Sequence, residues 1–455
     1  QFRQTCPATP GQTEKLPFVI PVEMALLDAQ GRELPLQLVG EDAAVGSVRV
    51  LQVTEAEQAF TFVNLADKPL PSLLRGFSAP IKLSFPYSRD QLMFLMQHDS
   101  DGFNRWEAGQ QLSVQVLQEL IAQHQRGEPL VLEPRLIEAF RTLLADESLD
   151  QAMVAEMLSL PGEAYLTEIS AVADVEAIHA AREFARQQLS DALFDLLWQR
   201  YQRNREVSRA SAYVAEAEHF ARRSLQNIAL SYLMLSGKAE VLTACLEQFE
   251  TADNMTERLT ALAVLVNSPF EDDKAAALAS FADFFKDNPL VMDQWFSVQA
   301  ACALPGALQR VEQLMQHPAF TLKNPNKVRS LIGAFAGQNL MGFHQADGSG
   351  YSLGVCKLIE RPGAELHGFA AIDDQHDTDI CVFFKLFQVV AIRPGPEFPV
   401  DTSQVITGDV LAVLGKLHGL PEIRTAMQPG YKTFDNLPCS QFQPRNSGKL
   451  FRSQR

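Results

Sequence analysis

Up to about residue 88, the apolar positions alternate or run in short blocks bounded by turn residues. Phe18 to Leu27 is a strand-length apolar run that meets a turn at Asp28-Ala29-Gln30-Gly31. Val48, Val50 and Val53 follow, then Ala59 to Asn64, and Ile81-Lys82-Leu83-Ser84-Phe85 alternates as a half-buried strand does. Short strands, prolines near their ends and glycine turns predict a small antiparallel β-sandwich over 1–88.

Near residue 89 the period becomes helical and stays so to about 345. Leu112, Val116, Leu117, Leu120 and Ile121 form one apolar stripe. Leu136, Ile137, Phe140, Leu143 and Leu144 form the next, with Pro134 suited to a first helical turn. Asp150 and Asp174 are expected to cap helices, and Gly237 to end one. Further stripes cover 239–249, 256–266, 273–286, 290–302, 307–316 and 326–336, and Thr256 reads as an N-cap. Short connections make neighbouring helices antiparallel hairpins, so the expected fold is mainly α: a β-sandwich followed by an armadillo/HEAT-like superhelical array.

From about Gly354 the texture changes again. Glycine and proline become frequent, Cys381 to Ile392 is apolar without helical period, and Ser440 to Arg455 is polar and basic, a disordered segment by composition. The expected division is therefore 1–88, 89–353 and a tail over 354–455.

Composition narrows the functional classes. The 46% hydrophobic and 21% charged residues are ordinary for a globular chain. No run is long and apolar enough for a transmembrane helix, and no membrane partner is expected. The net charge of −16 disfavours nucleic acid. The N-terminus carries neither an apolar signal region nor an initiator Met, so the chain is expected to begin inside a longer product. Six cysteines without C-x-x-C spacing suit a reducing, cytoplasmic compartment.

No catalytic constellation emerges. No two of the nine histidines lie four residues apart, so the chain has no H-E-x-x-H pair to present on one helical face. His98-Asp99-Ser100-Asp101-Gly102 begins like a calcium loop, but Phe103 and Gln110 occupy ligand positions, which favours a loop leading into a helix. His376 to Asp379 reads as a solvated acidic turn, Asp347-Gly348-Ser349-Gly350 as a turn rather than a phosphate cradle, and Cys245 as a packed core thiol. The most unusual segment is Asn324 to Gly337, with a capped start, two basic residues and several small ones. Either Arg329 is a solvated charge at a helix start, or it points into a cavity and meets an anionic group.

Five stretches carry a family resemblance: Pro7 to Lys15; Phe77 to Leu83; Asn254-Met255-Thr256; Leu290 to Phe296; and Asn324 to Gly337, continuing through Phe343-His344 to Asp347-Gly348-Ser349-Gly350-Tyr351. Together they resemble the C-terminal half of the bacterial aminopeptidase N family of zinc metallopeptidases, in order from about residue 7 to 353. The resemblance implies that the chain starts within the small β-sandwich and continues through most of the helical domain that encloses the substrate chamber. It places the zinc ligands, the general-base Glu, the G-x-M-E-N segment and the oxyanion-binding Tyr upstream, so no catalytic residue, metal ligand or zinc is expected in this chain. The chain alone is expected to be inactive. Arg329 and Asn326 become the candidate chamber residues. The implied partners are peptides with free N-termini and the missing catalytic domain. After Leu353 the chain departs from the family pattern, as a frameshift or mis-joined gene would produce. The competing reading is a non-enzymatic helical scaffold that binds a protein or peptide on its concave face.

Overall fold

The computed structural model describes residues 1–65, 68–210, 213–351 and 353. The expectation of a tail over 354–455 lies outside the described residues.

The β region holds β1 (Phe2–Arg3), β2 (Ile20–Leu27), β3 (Val48–Val53), β4 (Glu57–Gln58) and β5 (Leu70–Leu73). They form an antiparallel pair, β1 with β4, and an antiparallel three-stranded sheet in the order β3-β2-β5. Register pairs Val22 with Leu51 and Ala25 with Ser72. The central strand explains why its sequence is an unbroken apolar run. Met24 and Leu26 pack with Leu36 and Leu51 in the small β core, whereas Ala25 and Leu27 join the helical core. Side chains alternate across a strand, so β2 is buried on both faces and couples the two cores.

Two sequence expectations fail in this region. Ile81 to Phe85 forms no strand, and Ala59 to Asn64 contributes only the isolated bridge between Leu38 and Phe62. Their alternation has no neighbouring strand to complete a ladder. Conversely, β5 forms where no strand was expected, and it contains Pro71. Leu70–Leu73 pairs only with β2, and proline is tolerated on such an edge.

The first helix, α1, is Arg89–His98. Ser88 caps it in a reciprocal capping box with Gln91. There follow α2 (Gly102–Gln125), α3 (Pro134–Ala145), α4 (Gln151–Leu158), α5 (Glu163–Ile169), α6 (Val175–Ala210) and α7 (Ala217–Leu233). The array continues through α8 (Ala239–Thr251), α9 (Met255–Val266), α10 (Glu271–Phe285), α11 (Pro289–Ala300) and α12 (Ala307–Leu314). The caps expected at Asp150 and Asp174 form, accepting from the N–H groups of Met153 and Ala177. Gly237 takes φ +65° after the short 3-10 turn Met234–Ser236 that follows α7. At α9 the cap is Asn254, whose side chain accepts from Glu257 N–H at 3.0 Å, and Thr256 lies inside the helix.

The 36-residue α6 is the spine. Ala177, Ile178, Ala181, Ala185, Leu189, Leu193, Leu197 and Tyr201 are buried along it at spacings of three and four. It packs on α2, α3, α5 and α7. Its arginines also take up carbonyls near the ends of α3 and α7 and in the connection before α5. Arg200 Nε donates to Leu144 O at 2.8 Å, Arg182 Nε to Pro161 O at 3.0 Å, and Arg186 Nη2 to Ser231 O at 3.4 Å.

The β region meets the array through Arg75, which is 5% exposed. Its guanidinium reaches Glu33 at 2.8 Å, Asp99 at 3.4 Å and the Ser100 hydroxyl. Asn104 Nδ2 donates to Ser72 Oγ at 2.8 Å, and Tyr87 Oη to Pro71 O at 2.8 Å.

Candidate functional site

The segment singled out in sequence, Asn324 to Gly337, is one helical rod with an irregular centre. It comprises α13 (Pro325–Val328), a π turn (Arg329–Gly333) and α14 (Ala334–Gln338), followed by α15 (Leu340–Phe343). Asn324 caps the start by accepting from Asn326 N–H at 2.9 Å, and Pro325 occupies the first turn. Within the π turn, Ala334 N–H bonds the carbonyl of Arg329, five residues back. The Ser330 carbonyl is taken by the Ser297 hydroxyl of α11 at 2.9 Å, an acceptor bond that supports the widened turn.

The two basic residues of this segment diverge. Lys327 is 5% exposed, 2.8 Å from Asp293 Oδ1 and 2.9 Å from Pro289 O, with its ammonium 5.6 Å from the Phe296 ring centroid. Arg329 and Asn326 are exposed. Leu331, Ile332, Ala334, Phe335 and Ala336 are buried against the array. Asn326, Arg329 and Gly333 therefore share the outward face of this rod, at spacings of three and four. An added Cβ at Gly333 would meet Arg329 Cβ only at an ordinary 3.8 Å.

Nothing else singled out in sequence joins them. Asp99 is buried against Arg75, and Asp101 caps α2 by accepting from Asn104 N–H at 2.8 Å, so the calcium-like loop serves a helix start. Asp347 accepts from Ser349 N–H in a turn with Gly348 at φ +73°. Gly350 is required by close packing, because a Cβ there would lie 2.2 Å from the Phe343 carbonyl oxygen. Cys245 is fully buried, with Sγ 3.5 Å from Ala261 O, and burial pushes its thiol up to about 12. His376 to Asp379 lies outside the described residues.

Among the described residues, no group of three or more His, Cys, Asp or Glu side chains could hold a metal ion. No helix among them is long and apolar enough to cross a membrane.

One polar cluster had no sequence signal because its members lie on four separate helices. Arg205 of α6 faces Glu257 of α9 at 3.5 Å, and Gln226 of α7 donates to Gln248 of α8 at 2.9 Å and to Glu257 at 3.3 Å. Gln248 in turn donates to Asn227 Oδ1 at 3.0 Å. A cleft of about 230 Å³ opens beside it, lined by Arg205, Ser208, Arg209, Thr251, Asp253 and Glu257. The cluster's hydrogen bonds run from helix to helix, which suits a layer that fixes helix register.

Fold and site thus define an Ig-like β region joined to an ARM-type helical array, with no metal centre among the described residues. Two family models match in that order: an Ig-like domain of unknown function (DUF3458) over 1–86, and a domain of unknown function with ARM repeats (DUF3458_C) over 89–360. The chain belongs to this ARM-repeat family and corresponds to the C-terminal part of aminopeptidase N. It is 42% identical over 361 residues to aminopeptidase N of Escherichia coli strain K12, covering 78% of this chain and 40% of that protein. Aminopeptidase N of Haemophilus influenzae is 35% identical over 356 residues, with the same coverage. The solved structure of Legionella pneumophila aminopeptidase A in complex with aspartic acid matches with a TM-score of 0.62 at 32% identity, over 73% of this chain and 38% of that one. The chain thus spans about 40% of the length of the curated relatives.

Proposed function

We propose that this chain forms the substrate-access region of a zinc-dependent aminopeptidase that removes N-terminal residues from peptides, acting in the cytoplasm, and that it has no hydrolytic activity alone. The observation that carries this reading is the match of both modules, in order, to the C-terminal part of aminopeptidase N. In this reading the working enzyme needs a catalytic part that holds the zinc, on the same polypeptide or on another chain, and this region completes a piece of a larger protein. The array walls the chamber, limits bulk water and admits short peptides with free N-termini. Asn326 and Arg329 face that chamber from the outward side of their rod, and Arg329 offers a planar cation to peptide carboxylates or carbonyls. The π turn beneath Arg329 supports this role, because such turns recur at functional positions.

The test is reconstitution. The region of the Escherichia coli relative that lies upstream of this match is purified with zinc and assayed on an alanyl anilide with and without this chain. The proposal expects turnover to rise when the chain is added, and Arg329→Ala to raise KM more than it lowers kcat. No physical association between the two parts would refute it. A helical scaffold without an enzymatic partner remains the second reading, favoured by the solenoid-like array; it requires that the chain capture a specific protein other than a peptidase catalytic part.

A further inference from the structure

Every buried guanidinium among the described residues except one has a polar acceptor. Arg75 has carboxylates, Arg200 has Leu144 O, Arg205 has Glu257 and Thr251, and Arg222 has His219 Nδ1 at 2.7 Å. Arg223 of α7 is the exception. It is 4% exposed, and Nε and Nη2 are both buried without a hydrogen-bond partner. No ion pair or hydrogen bond reaches its side chain from the described residues. Its cation is held by rings instead, 4.9 Å from the Tyr213 centroid and 5.0 Å from the Phe220 centroid. Asp253 sits close to Tyr213 but is engaged elsewhere: Oδ2 accepts from Tyr213 N–H at 2.9 Å and Oδ1 from Asn254 Nδ2 at 3.0 Å.

The surroundings are as unusual as the cation. Tyr213 and Phe220, the two rings against it, are 46% and 48% exposed, so a desolvated positive charge lies beneath an exposed aromatic rim. Aromatic rings around an arginine at a water-poor spot make an anchor point typical of protein interfaces. A guanidinium held by rings alone has no competing acceptor, so a carboxylate that parts the rings can take its N–H groups.

We propose that Arg223, Tyr213 and Phe220 form a docking site for an acidic side chain carried inside an apolar segment of a protein partner. Charge complementarity requires the carboxylate. The rim residues come from two places, the segment before α7 and the first turn of α7, and they select apolar neighbours around that carboxylate. A chain terminus would leave part of this rim uncovered. The site is separate from the Asn326–Arg329 face and does not depend on the aminopeptidase reading.

The test uses the whole chain and three fluorescein-labelled heptapeptides, read by fluorescence anisotropy. The first is blocked at both ends with a central Glu between Leu and Phe. The second has Gln in place of Glu, and the third has that Gln and a free C-terminal carboxylate. The Glu peptide is expected to bind at least about tenfold tighter than the Gln peptide, the margin of a charge-assisted fork. Arg223→Met should erase that margin, and Phe220→Ala, at an exposed ring, should weaken the Glu peptide while leaving the thermal melt unchanged. Equal binding of the Glu and Gln peptides overturns the proposal, and so does stronger binding of the free-carboxylate peptide. If Arg223→Met fails to fold, the Glu/Gln comparison and Phe220→Ala still decide.

Discussion

Lys327 Nζ lies 2.8 Å from Asp293 Oδ1, and this pair, rather than Arg329, binds the Asn324–Gly337 rod to α11. The lysine side chain is 6% exposed and the aspartate 17%. Removing one partner strands the other, and the deeper ion suffers more. Lys327→Met is expected to lower stability by about 2 kcal/mol, and Asp293→Asn by about 3 kcal/mol, in urea unfolding. Losses in the reverse order would show that the cation is solvated after all.

The contact between the β region and the array should be acid-sensitive through Glu33. Hydrogen bonds from Ser100 and Ser47, and then Arg75, hold its carboxyl at about 2, against an ordinary 4.5. A depressed carboxyl stabilises the fold above the unfolded value near 4.5, and that contribution disappears as pH falls through about 2. Glu33 is partly exposed, so the effect is on the order of 2 kcal/mol. Glu33→Gln should be less stable than the parent at neutral pH, with the gap closing across this window. Asp99 beside it is pushed up by burial, so its protonation acts in the opposite direction and softens the acid transition. A gap that does not change with pH would remove Glu33 from the account.

Capping of α9 separates two neighbouring residues. Asn254→Ala removes the acceptor for Glu257 N–H and is expected to cost about 1 kcal/mol. Thr256→Ala, inside the helix, should cost well under half of that. Thermal denaturation of the two variants decides, and equal losses would return the cap to Thr256.

Thiol reactivity should follow burial. Cys6 is exposed, whereas Cys245 and Cys302 are buried. With its thiol raised to about 12, Cys245 is almost wholly protonated at neutral pH and shielded as well. Peptide mapping after brief iodoacetamide treatment should find Cys6 alkylated and Cys245 intact. Rapid labelling of Cys245 would mean that α8 opens readily.

How far these features can be read from sequence depends on which physical signal each one leaves. Helices such as α3 announce themselves, because Leu136, Phe140, Leu143 and Leu144 repeat at helical spacing and Pro134 marks the start. The full extent of α6 is harder to read, since Arg200, Asn204 and Arg205 face inward near its end and interrupt the apolar stripe. The alternation of Ile81 to Phe85 is a local signal with no strand to pair with, while Leu70–Leu73 hides its edge position behind Pro71. At the candidate site the composition of the Asn324 rod is visible, but not which cation turns inward, because Asp293 lies on another helix. Arg223 leaves no mark at all, since an arginine without an acceptor has the same sequence as one with an acceptor.

The most direct measurement is made on the purified chain alone, loaded with zinc and desalted, with bound metal determined by elemental analysis and hydrolysis followed on alanyl and leucyl anilides. The account predicts no retained stoichiometric zinc and no turnover above buffer. One zinc held per chain, with hydrolysis that a chelator abolishes and zinc restores, would contradict it.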